Sequence, residues 1–260
     1  MTTPIALAAF DMAGTTVDEH GDVYRALRGC VEETGVPVAA DDLQTWMGAD
    51  KVEAIGALLR AGRAAAVEGT GTSAEPTPSE VDACFDRFRS LLAESYRANP
   101  PVSLPGVEEA IGELRAAGIA VALTTGFSRD VAGSVLEALG WTVGPSGALP
   151  PARPGDPARS APLDPAHTVD ALVCADEVAA GRPFPYMIHR AMERTGVVDV
   201  RSVLVAGDTV LDVEAGLTSG AQHVIGVLTG ELGREDLSGA GATAVLDSVA
   251  EVPALLRGAR

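Results

Sequence analysis

The sequence predicts an α/β protein, a doubly wound parallel sheet flanked by helices and interrupted after its first strand by an inserted helical unit. Two observations carry this. Five short runs of apolar and β-branched residues, at 5–10, 119–124, 169–174, 203–206 and 224–228, are mostly followed by a glycine-rich or polar turn and a segment with helical periodicity. Near-continuous apolar runs alternating with helices of about ten to fifteen residues are the pattern of strands buried on both faces of a parallel sheet. The second observation is a break in that rhythm. Residues 17–101 hold helix-like segments at 24–34, 41–47, 51–60 and 80–97 with no convincing strand, and Pro100, Pro101 and Pro105 close the stretch. Residues 1–17 and 101–260 are therefore assigned to an α/β core, and 18–100 to a helical cap over the carboxyl edge of the sheet. Gly118 ends a helix over 107–117 and Gly140 one over 131–139, as glycine does at helix C-termini. The stretches 69–79 and 144–167, rich in Gly, Pro, Ser, Thr or Ala, read as surface loops.

Composition bounds the function. With 47% hydrophobic and 21% charged residues the chain is an ordinary folding sequence. A net charge of −17 argues against nucleic acid and anionic membranes as partners, since both would repel it. No run approaches the ~20 apolar residues of a membrane span. The run 5–10 lacks preceding basic residues and ends in Asp11, so it reads as a strand and not a signal peptide, and the expected location is cytoplasmic. Cys30, Cys84 and Cys174 are odd in number and widely spaced, suggesting neither a disulfide framework nor a zinc site. Against eighteen arginines there is a single lysine, Lys51. An amine can lose its proton and attack a carbonyl, whereas a guanidinium cannot.

In open α/β sheets, ligands bind beyond the carboxyl ends of the strands. Four groups fall there. Asp11, in Phe10-Asp11-Met12-Ala13-Gly14-Thr15-Thr16, can attack phosphorus while the following glycine and threonines offer N–H groups to phosphate oxygens. Thr124-Thr125-Gly126 supplies a hydroxyl donor, and Arg182, in Gly181-Arg182-Pro183, a fixed cation. Asp208 and Asp212, in Gly207-Asp208-Thr209-Val210-Leu211-Asp212, suit a hard oxygen-seeking cation such as Mg²⁺. Each group has a plain structural reading as a helix cap or surface charge. Their occurrence together, in this order, does not.

With these four groups the chain resembles the haloacid dehalogenase superfamily over nearly its whole length, and more narrowly its phosphonatase branch. Met47-Gly48-Ala49-Asp50-Lys51 and the run from Cys174 to Pro183 also carry the likeness. The resemblance implies a Rossmann-like core with an inserted helical cap, Mg²⁺ as cofactor, a small organophosphonate or phosphate ester as substrate, and a homodimer. It implies Asp11 as nucleophile and metal ligand, with the Ala13 carbonyl and Asp208 as further ligands and Asp212 orienting the site. Thr125 and Arg182 would hold the phosphoryl group, Thr15 and Gly126 would line it, Gly48 would let backbone approach the substrate, and Met47 would pack beside it. Where the superfamily's phosphatases carry a second aspartate to protonate a leaving alkoxide, this chain has Ala13. Lys51 stands where the phosphonatases' imine-forming lysine would lie. The expected reaction is thus P–C cleavage of phosphonoacetaldehyde or a related carbonyl phosphonate through a lysine imine. The alternative is a phosphomonoesterase of the phosphoglycolate-phosphatase kind, and a catalytically silent binding module is the reading from a different class. Ala54 and Phe127 replace a histidine and a tyrosine of the phosphonatase pattern, and His20 is a candidate stand-in.

Overall fold

The computed structural model describes residues 3–66, 75–144 and 168–258. The chain forms two compact units, Met1–Asp18 with Val102–Arg260, and Glu19–Pro101.

The first unit is built on a six-stranded sheet of β1 (Leu7–Asp11), β4 (Ala120–Thr125), β5 (Ala171–Cys174), β6 (Val203–Gly207), β7 (His223–Val227) and β8 (Ala244–Leu246). Its order is β5-β4-β1-β6-β7-β8, and every pairing is parallel. Strands β1, β4, β5 and β6 are buried along their full length. On one face Leu7, Ala9, Ala120, Ala122, Val203 and Val205 pack with Met187, Ile188 and Ala191 of α7 (Tyr186–Thr195) and Ala215 of α8 (Val210–Ser219). Their spacing of two along each strand is the period that sends alternate side chains to one face. Helices α5 (Val107–Ala116) and α6 (Arg129–Leu139) follow the same logic, burying Val107, Ala110, Ile111 and Leu114, and Val131, Ala132, Val135 and Leu136. The chain moves from β1 to neighbours on both sides, so the sheet has its switch point beside β1, where a crevice opens at the carboxyl ends. Register then aligns Asp11 with Thr124, Thr125 with Cys174 and Phe10 with Ala206, bringing three turns to one edge.

The second unit is helical: α1 (Asp22–Glu32), α2 (Ala40–Thr45), α3 (Lys51–Ala66) and α4 (Pro78–Ala98). Val23, Ala26, Leu27, Cys30 and Val31 of α1 and Cys84, Phe88 and Leu92 of α4 form buried stripes at helical spacing. Ile55, Leu58 and Leu59 add the buried face of α3. A fully buried Leu, Ile or Phe contributes roughly 1.5–3 kcal/mol by burial.

Three details depart from the sequence reading. The strand β8 was not anticipated, nor was the two-residue antiparallel pair of β2 (Val17–Asp18) and β3 (Val102–Ser103). Part of the expected loop 69–79 is helical: Thr77 caps α4, its hydroxyl accepting from Glu80 N at 3.3 Å while the Glu80 carboxylate accepts from Thr77 N at 2.8 Å. This reciprocal cap satisfies donors that would otherwise be orphaned at a helix start. Residues 69–74 of that stretch, and 145–167 of the other, lie outside the described residues. No helix among the described residues is long and apolar enough to cross a membrane.

Candidate active site

Asp11 closes β1, and the chain turns at once. The Met12 carbonyl accepts from Thr16 N and Val17 N, both at 2.9 Å, and Thr16 Oγ1 donates to the Asp11 carbonyl at 2.9 Å. The turn needs Gly14 for two reasons. Its φ is +83°, where a side chain is strained, and a Cβ there would sit 2.5 Å from Asp208 Oδ2. The turn therefore seats against Asp208, and Thr15 Oγ1 donates to Asp208 Oδ1 at 2.7 Å. From the other side the backbone after β7 closes in: a Cβ on Gly230 would lie 2.0 Å from Asp208 Oδ2.

Arg182 ties the remaining acids together. Its Nη2 donates to Asp11 Oδ1 at 2.6 Å and to the carbonyl and hydroxyl of Thr124 at 2.9 and 3.1 Å, and its Nε pairs with Asp212 Oδ1 at 2.8 Å. Asp212 Oδ2 in turn accepts from Thr209 N at 3.1 Å and Thr209 Oγ1 at 2.6 Å, so the capping of α8 fixes this acid in place. Asp11, Asp208, Asp212 and Arg182 are all buried. Burial pushes the Asp11 carboxyl up to about 6, with the Arg182 charge pulling it back and Asp212 pushing it further. Asp208 is raised well above the usual carboxylate range by burial and by the charges of Asp11 and Asp212. Around Arg182 the attraction of Asp11 and Asp212 outweighs burial and holds the guanidinium charged.

Three buried carboxylates facing one guanidinium leave an excess of negative charge. Oxygens of Asp11, Asp208 and Asp212 lie within 4.8 Å of one another. A compact set of hard oxygen donors with surplus charge fits a divalent cation such as Mg²⁺.

Of the sequence-derived site residues, Asp11, Thr15, Arg182, Asp208 and Asp212 converge in this cluster. Thr125 is buried at the end of β4, its Oγ1 accepting from Phe127 N at 3.1 Å, with Gly126 buried beside it. Ala13 lies in the nucleophile turn, bridged to Val17. The sequence did not single out Thr124, which holds Arg182, or Gly230, which encloses Asp208. Met47, Gly48 and Lys51 belong to the helical unit: Met47 is buried, Gly48 has φ +82°, and Lys51, buried as the first residue of α3, donates to the Ala49 carbonyl at 2.9 Å. Ala54 and Phe127 are buried apolar side chains. His20 Nε2 lies 3.2 Å from the Pro100 carbonyl oxygen. Cys174 is a buried thiol pushed up to about 12, chiefly by burial, as expected of a core residue.

Fold and site together define a class. The chain belongs to the haloacid dehalogenase-like hydrolases, whose family model matches residues 5–220. Within that family it falls in the phosphonatase-like branch. It is 30% identical over 235 residues to the phosphonoacetaldehyde hydrolase of Bacillus cereus, covering 88% of this chain and 78% of that protein. It is 29% identical over 222 residues to the phosphonoacetaldehyde hydrolase of Paraburkholderia xenovorans (strain LB400), covering 83% and 72%. A crystal structure of a phosphonoacetaldehyde hydrolase-like protein from Oleispira antarctica shares the fold, with a TM-score of 0.73 and 24% identity over 99% of this chain and 93% of that one.

Proposed function

We propose that this hydrolase cleaves the P–C bond of phosphonoacetaldehyde or a related carbonyl phosphonate, with Asp11 as nucleophile and Lys51 as the imine-forming amine. The observation that carries the reading is Ala13. A site with a buried aspartate, a charged guanidinium and two more carboxylates is furnished for phosphoryl transfer, yet position 13 has no acid to protonate a leaving alkoxide. A leaving group stabilised as an enamine removes that need, and the sole lysine supplies the means.

In this scheme the Lys51 amine condenses with the substrate carbonyl, releasing water. Asp11 attacks phosphorus, the P–C bonding pair passes into the imine to give an enamine, and Asp11 carries the phosphoryl group. Water then releases phosphate from Asp11, and protonation and hydrolysis of the enamine free the carbonyl product and restore Lys51. Arg182 holds Asp11 with its attacking face fixed, while the Thr125 hydroxyl and the N–H groups of the turn after Asp11 serve the phosphoryl oxygens. Asp11, Asp208 and the Ala13 carbonyl would hold Mg²⁺, with Asp212 orienting the set; the ion would supply charge against the phosphoryl oxygens. Support comes from the carboxylate cluster and from relatives named for this reaction.

The test is phosphate release from a panel of carbonyl phosphonates, plain alkyl phosphonates and phosphate monoesters, with and without Mg²⁺. Turnover confined to carbonyl phosphonates and abolished by chelator is expected. Faster turnover of phosphate monoesters would overturn the P–C reading in favour of an ester phosphatase.

A further inference from the structure

The helical unit holds a pair of cysteines of its own. Cys30 of α1 and Cys84 of α4 stand 54 residues apart in sequence, but the two helices pack so that Cys84 Sγ donates to the Cys30 carbonyl at 3.0 Å. Cys30 Sγ donates to the Leu27 carbonyl of its own helix at 3.2 Å. The neighbouring residue is Gly29, where a Cβ would come within 3.3 Å of Leu91 Cδ1, so the helices meet closely here. A sulfur that touches its partner's backbone lies within the reach of a disulfide, which needs Cα atoms roughly 4.4–6.8 Å apart. Both thiols are buried, at 1% and 3% exposure, among apolar side chains.

We propose that Cys30 and Cys84 are a modification site, a dithiol that hydrogen peroxide oxidises to a disulfide joining α1 to α4. The order of attack follows from the environment. Cys84 Sγ reaches across to Cys30 while Cys30 Sγ turns back on its own helix; the interaction between the two residues lowers the Cys84 thiol and, together with burial, raises Cys30. Cys84 is thus the better nucleophile. Its sulfur attacks the peroxide, the O–O bond breaks with loss of water, and Cys84 becomes a sulfenic acid. Cys30 then displaces the hydroxyl group from that sulfur, forming the S–S bond and releasing a second water. Two thiols lose two electrons and two protons, and one peroxide is reduced. Local opening of the α1–α4 contact admits the oxidant.

The experiment treats the full-length folded protein with hydrogen peroxide and reads intact mass and cross-linked peptides. Expected are a loss of two hydrogens per chain, a peptide pair linking Cys30 to Cys84, an unmodified Cys174, reversal by dithiothreitol, and a melting temperature raised by roughly 5 °C. With Cys30→Ser, dimedone should capture the sulfenic acid at Cys84; with Cys84→Ser it should capture none at Cys30. Cross-links through Cys174 or between chains, or a 30–84 link that forms only in denaturant, would overturn the proposal. Equal dimedone capture at Cys30 would overturn the order of attack.

Discussion

In the α/β unit the site is a closed set of mutual restraints: Arg182 holds Asp11, Asp212 and Thr124, Thr15 holds Asp208, and Thr209 holds Asp212. In the helical unit the buried Lys51 opens α3 and donates to a carbonyl two residues back. The contrast separates two kinds of contribution. Charges buried in a network depend on one another, so changing one disturbs the others and every reaction that uses the phosphoryl site. An amine that reacts with a carbonyl matters only to substrates that carry one, so the loss of Lys51 should select among substrates.

Mutations can break this contrast. Asp11→Asn should lower turnover of every substrate by about a thousandfold or more, because an amide cannot take the phosphoryl group. Turnover of purified variant above a few per cent of the parent on any substrate would remove Asp11 as nucleophile. Arg182→Ala strands two buried carboxylates, and losing one partner of a buried pair costs about 3–5 kcal/mol. Denaturant unfolding of the metal-free protein should show that loss. A change within error would mean that the guanidinium is not the network's tie.

Gly230→Ala should weaken Mg²⁺ binding about tenfold by displacing Asp208, since the added Cβ would overlap its carboxylate. Calorimetric titration of the metal checks this, and parent-like affinity would free Asp208 from that enclosure.

The smallest expected effect is one of pH. Asp11 is raised from 3.8 to about 6 in the folded chain and Asp208 is raised as well, so the folded state binds more protons than the unfolded one. Above the range where Glu33, Glu80 and Glu177, whose carboxyls are lowered, add stability with rising pH, stability of the metal-free protein should therefore fall between about pH 5 and 6, by roughly 1 kcal/mol per unit. Asp208→Asn should flatten that slope and raise the neutral-pH melting temperature. A melting temperature climbing over this interval would contradict the charge surplus.

How much of this was legible in the sequence follows the same division. Asp11 ends β1 and Asp208 follows β6, while Asp212 lies in the first turn of the helix after β6 and Arg182 in the connection after β5; parallel strands bring such connections to one edge. Of two consecutive threonines, sequence favoured Thr125, yet it is Thr124 that meets Arg182, a matter of which way alternate strand residues face. Gly230 has no motif; its role exists only because the turn after β7 folds back on Asp208. The strand β8 is three half-buried residues, too short and too mixed to show a period. The Cys30–Cys84 contact was hidden because it depends on how α1 and α4 pack, which spacing alone does not encode.

The central claim is that Lys51 forms an imine, and borohydride trapping tests it most directly. Borohydride added during turnover of a carbonyl phosphonate should reduce the adduct irreversibly. With one lysine in the chain, only the N-terminal amine competes in peptide mapping. The account predicts a stable adduct on Lys51, complete inactivation, and a Lys51→Arg protein that is inactive on the same substrate although its charge is kept. Phosphate release with nothing trapped, or a Lys51→Arg protein with most of its activity, would contradict it.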